Sequence, residues 1–118
     1  MGSVGNGEFG RINDAKNYNE ERCLRELLEV DLQDVANSEY FNSEGEVPEI
    51  FSIIHLGKKL KNGRVQVILT DDESEIGLLP TQYNYLHTCI ARGHKYSGTI
   101  VYSENAIFPK IVVNLYAK

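Results

Sequence analysis

Between Glu75 and Tyr102 the sequence, EIGLLPTQYNYLHTCIARGHKYSGTIVY, changes its hydrophobic period twice without slack, and this limits what the remaining residues can build. Glu75 to Leu79 reads as a short strand, Pro80 and Thr81 as a helix start, and Gln82 to Arg92 as a helix. Gly93 stops that helix, and Lys95 to Tyr102 reads as a returning strand. No Asp or Glu lies between Thr81 and Ser103, although the chain carries 17 acidic residues. The same segment holds four of the seven tyrosines and two of the three histidines.

Strand patterns continue on either side. Ile50 to Leu56 and Val65 to Thr70 flank Asn62-Gly63, a strong hairpin-turn signal, and Asp71 to Ser74 supplies the next turn. Ile111 to Tyr116 alternates as a last strand. Before the sheet, Leu24, Leu27, Leu28, Leu32 and Val35 recur at spacings of three and four and predict an amphipathic helix from Asn19 to about Ala36 or Tyr40. The expected class is α+β: a small, strongly curved or barrel-like, mainly antiparallel sheet of about five strands, with one inserted helix and an N-terminal amphipathic helix. Leu24, Leu28, Ile53, Val67, Leu69, Leu86, Ile90, Ile100 and Val112 are the expected core.

At 118 residues the chain fits one domain with a single core. Residues 15–118 are read as that domain. Met1 to Asp14, holding four of the ten glycines and little to bury, is read as a disordered tail. Gly5-Asn-Gly7-Glu-Phe-Gly10 matches a dinucleotide-binding fingerprint in letters, but only four residues precede it here, fewer than the strand that the motif requires, so a phosphate loop is not expected. No apolar leader core or membrane-spanning run is present, which makes the cytoplasm the expected location and a membrane an unexpected partner. Cys23 and Cys89 stand far apart among helix-forming residues and are expected as reduced, partly buried thiols.

Charge divides unevenly. Up to Ile50 there are 12 acids and 4 bases, a charge of −8; beyond it there are 5 acids and 8 bases, a charge of +3. The acidic half is read either as the solvated face of the first helix or as a surface for a partner. No titratable set converges as catalysis or metal binding would need. His87 and Cys89 point about 200° apart on a helix, so they cannot share a zinc ion. Neither a cofactor nor an enzymatic activity is expected.

The remaining chemistry lies in the acid-free stretch. Tyr83, His87, Arg92, His94, Lys95 and Tyr96 combine rings with cations, the combination by which single strands of nucleic acid are held. Half-buried packing of the tyrosines is the competing reading. Glu75-Ile-Gly-Leu-Leu-Pro80, the helix after it, Gly93, Tyr96 and the strand Gly98-Thr-Ile-Val resemble the second half of HIRAN domains, over roughly residues 64–116. That resemblance implies a small β-rich module with two helices that binds single-stranded DNA ends. Arg64 to Thr70 stands where those domains carry an Asn-x-x-Asp-x-x-Ala-Ile signature, so no DNA-contacting residue is carried over. The expected function is a non-enzymatic binding module, for single-stranded nucleic acid or alternatively for another protein, with the acidic first helix as partner surface or nucleic-acid mimic and the oligomeric state open.

Overall fold

The computed structural model describes residues 19–118; the tail expected over residues 1–14 lies outside them. A six-stranded antiparallel sheet dominates. Its strands are β1 (Leu27–Asp31), β2 (Ile53–Lys61), β3 (Arg64–Leu69), β4 (Ser74–Leu78), β5 (Tyr96–Glu104) and β6 (Lys110–Ala117). Across the sheet they run β1-β6-β5-β2-β3-β4. Among the described residues three short α-helices accompany them: α1 (Glu20–Cys23), α2 (Glu39–Glu44) and α3 (Tyr85–Ala91). Among the described residues no helix is long and apolar enough to cross a membrane.

Local chemistry accounts for most of the elements. Asn62 and Gly63 both take positive φ, 53° and 75°, as a two-residue hairpin loop matched to strand twist requires. In the turn after β3, the Glu73 amide donates to the Leu69 carbonyl at 2.8 Å and the Ser74 amide to the Asp72 carboxylate at 3.0 Å. The Ser38 hydroxyl accepts the Phe41 amide and so caps α2. A 3-10 turn, Thr81–Tyr83, leads into α3, and Gly93 at φ 104° ends it.

Alternation along β3 and β6 turns Val65, Val67 and Leu69, and Ile111, Val113 and Leu115, into one core with Ile54, Ile76, Ile100 and Leu86. α3 packs against β2, and α2 against β4. At the second contact Glu75 is buried, with its Oε1 2.7 Å from the Lys61 ammonium. The same oxygen accepts the Glu39 amide, while the Glu39 carboxylate accepts the Glu75 amide.

The single helix expected from Asn19 onward is not formed. That segment is α1, then β1, then a 3-10 turn, Val35–Asn37, then α2. Pairing of Leu27, Val30 and Asp31 with Leu115, Val113 and Val112 overrides the local helical pattern. A bulge between Leu27 and Val30, with Glu29 at φ 54°, lets both Leu27 and Val30 turn inward. β1 is the sixth strand, one more than expected. Leu24 and Leu28, assigned to the core by helical spacing, are exposed. Ile53 is exposed too, and Val112 only half-buried, because both stand on the outward phase of their strands. Val67, Leu69, Leu86 and Ile100 are buried as expected, and Ile90 partly so.

The two edges of the sheet meet at one point without closing a ladder. Gln33 and Leu78 exchange both backbone hydrogen bonds, at 2.8 and 2.9 Å. Gly77 permits the approach: a Cβ there would lie 3.1 Å from the Leu32 side chain and 3.3 Å from the Gln33 carbonyl. The Arg64 guanidinium donates to the Gln33 side-chain oxygen.

The expected free thiols are instead one disulfide, Cys23 to Cys89, with both residues buried. Sequence distance concealed it, since the two cysteines stand 66 residues apart and meet only where the tertiary fold lays α1 against α3. The Arg22 guanidinium lies 3.7 Å from the centroid of the Tyr85 ring and the Tyr96 hydroxyl donates to the Cys23 carbonyl at 2.7 Å, both reinforcing this junction.

Candidate functional site

The β5–β6 hairpin joins two ends of different chemistry, separated by roughly 30 Å at about 3.3 Å per strand residue. At the end where β5 begins, the structure gathers Arg92, His94 and Lys95. Arg92 and Lys95 are exposed and His94 half-exposed. The Lys118 amide donates to the Lys95 carbonyl at 2.8 Å, which adds the cation of Lys118 to this end.

The rings expected there are placed differently. Tyr96 is 3% exposed on the inward phase of β5 and presents no face to a base. Tyr83 and His87 are half-buried, and Tyr83 packs against the core. The exposed ring is Tyr116, opposite Ser97 on the outer face of β6. Its position was readable from the alternation of Ile111, Val113 and Leu115, which leaves Tyr116 outward.

The other end was not singled out from the sequence. Beyond Glu104 the hairpin loop carries Ile107 and Phe108, which are 91% and 87% exposed. Nearby in the fold, the segment leading into β2 holds Ile50 and Phe51, both exposed. Phe51 is 73% exposed and has φ 69°, a backbone region that bulky side chains avoid. Its amide donates to the Ile100 carbonyl at 2.7 Å, which fixes that conformation.

Residues flanking both segments, Glu49 and Ser52 on one side and Asn105 on the other, line a groove of about 420 Å³ together with Tyr40, Glu46 and Asp71, among others. The Asn105 side-chain oxygen accepts the Val47 amide at 2.8 Å and ties the hairpin loop to the groove wall. The phenol of Tyr40 has its pKa raised, first by burial and then by Glu44, Glu46, Asp72 and Glu49. Lys110, the nearest cation in the hairpin sequence, lines a different groove with Tyr102 and Asn114, and its ammonium is 3.8 Å from Asp31. The apolar loop is thus bordered by an acidic concavity.

The sequence places Glu104 to Lys110 in a loop around Pro109, but residue type alone does not show that its apolar pair, Ile107 and Phe108, stands out in solvent. No family model, curated protein or solved structure matches the chain.

Proposed function

We propose that this chain is a non-enzymatic protein-interaction module whose contact surface is the β5–β6 loop with the adjoining Ile50-Phe51 segment. The observation that carries it is the exposure of Ile107 and Phe108 side by side. Single apolar residues on a surface are ordinary, but contiguous ones mark contact sites. Covering a side chain of this size contributes about 1.5–3 kcal/mol. Phe51, exposed and strained in the segment that shares the groove with Asn105, fits the same use, since strain of this kind costs of order 1–3 kcal/mol and concentrates at binding sites.

A photo-crosslinking residue placed at position 108 in the producing cells should give a discrete adduct. The same residue at exposed Lys58 should not. Absence of any adduct specific to position 108 would remove the reading.

A second reading, single-stranded nucleic acid binding of the HIRAN type, is favoured by one observation: exposed Tyr116 stands on the end that carries Arg92, Lys95 and Lys118. Its sequence support is the resemblance of residues 64–116. Under it, a labelled single-stranded oligonucleotide is retarded in low salt, and the R92E/K95E variant loses that retardation. A salt slope of about −0.7 per phosphate contact is then expected. An oligonucleotide that migrates unchanged would dispose of this reading and leave the first intact.

The buried disulfide also bears on location. Structural disulfides persist in oxidising compartments and are rare in the cytosol, so the Cys23–Cys89 bond supports maturation outside the reducing cytoplasm.

A further inference from the structure

The apolar loop and the acidic groove beside it, taken together, define what kind of surface could cover both. Asn105 lines the groove and Phe108 lies three residues further on, so the two features stand within about 10 Å of each other along the chain. Glu46, Glu49 and Asp71 border the groove and are all exposed, and no Lys or Arg lines it among the described residues. A neutral or acidic surface docked on Ile107 and Phe108 would bring its own groups against these carboxylates and gain nothing from them, or be repelled. The cations at the opposite end, Arg92, Lys95 and Lys118, are several Debye lengths away at physiological salt, where one length is about 8 Å. Each end therefore presents its own local charge to a partner.

We infer that the partner of the β5–β6 loop is a cationic chain segment, with Lys or Arg side chains placed next to apolar ones, whose cations enter the groove of Glu46, Glu49 and Asp71 while its apolar groups cover Ile107 and Phe108. This rests on the interaction-module reading above and specifies its partner. The apolar residues supply the contact area, and the carboxylates supply selectivity and a salt-dependent association rate.

Two synthetic peptides test it: a lysine-leucine-phenylalanine repeat and its counterpart with glutamate in place of every lysine. Each is titrated into the isotope-labelled full chain while amide shifts are followed, and affinity is read by fluorescence anisotropy at low and high salt. The lysine peptide should shift the amides of Glu46, Glu49, Ile107 and Phe108 and weaken as salt rises. The glutamate peptide should leave them in place. Neutralising three exposed carboxylates in the E46Q/E49Q/D71N variant should weaken the lysine peptide about tenfold, given the modest worth of each exposed pair. The E46K/E49K variant should reverse the preference between the peptides.

Equal binding of both peptides at the loop, insensitive to salt, would overturn the cationic partner while leaving the apolar contact surface standing. Shifts confined to Arg92 and Lys95, or no shift at residues 107 and 108 with either peptide, would overturn the inference as well. The interaction-module reading itself stands or falls separately, on the adduct at position 108.

Discussion

Gly98→Ala is expected to leave the chain without a cooperative unfolding transition. Gly98 is buried in β5 opposite Leu115. A Cβ built there would lie 1.8 Å from the Asn114 carbonyl oxygen and 2.8 Å from its carbon. Both are backbone atoms of the neighbouring strand, so no side-chain rotation can relieve the overlap. β5 and β6 would have to part at the centre of the sheet, where β2 pairs on the other side of β5 through Ile54 and Gly98. The loss should exceed about 4 kcal/mol, at the extreme of single substitutions, which is comparable to the whole stability of a domain near the lower end of the usual range of about 5–15 kcal/mol. Gly57→Ala in β2 is the matched control. Its Cβ would meet only side-chain atoms, the nearest at 3.5 Å, and thermal melting should change little. A Gly98→Ala protein that melts within a few degrees of the wild type would show that the two strands do not approach as described.

Removing the disulfide should have the next largest effect. Cys23 and Cys89 are separated by 66 residues, and a closed loop of that length restricts the unfolded chain by about 4 kcal/mol in the loop-entropy model. The Cys23→Ser/Cys89→Ser double variant should therefore lose about 3–4 kcal/mol and melt roughly 12–16 °C lower, at about 4 °C per kcal/mol for a domain this size. The remaining ties of α1, the Tyr96 hydrogen bond and the Arg22–Tyr85 contact, contribute far less. Mass spectrometry after alkylation of the native protein should find neither thiol modified. Equal melting temperatures for wild type and double variant, with the bond verified in the wild type, would place its effect elsewhere.

The strand-helix-strand stretch was legible because each boundary has local chemistry: Pro80 at the start, Gly93 at the stop, and alternation on both flanks. The Asn62-Gly63 hairpin was legible for the same reason. The segment from Leu24 to Val35 was not, since its leucines satisfy a helical spacing that only the long-range pairing with β6 overrules. Cys23 and Cys89 could not be matched from sequence because the sheet, and no local signal, brings them together. For the candidate site, Arg92, His94 and Lys95 stand together just before β5 because they are neighbours in sequence, and the alternation that begins at Tyr96 turns its ring inward. Ile107 and Phe108 escaped notice because exposure of an apolar pair depends on how far the hairpin projects, which residue type does not encode.

The single bridge between Gln33 and Leu78 has a bearing on how copies of this chain behave at high concentration. An open sheet ordinarily offers two rows of unpaired amides and carbonyls to any neighbouring strand, the usual starting point of aggregation. Here the end of β4 is occupied by Gln33, and α2 lies against that strand. β1 is short and bulged, carries Glu29 and Asp31, and has the Glu29 amide taken by the Asn114 side chain at 2.8 Å. Among the described residues, strand-to-strand recruitment is thus hindered at β4 by Gln33 and α2, and at β1 by its shortness, its bulge and its outward carboxylates.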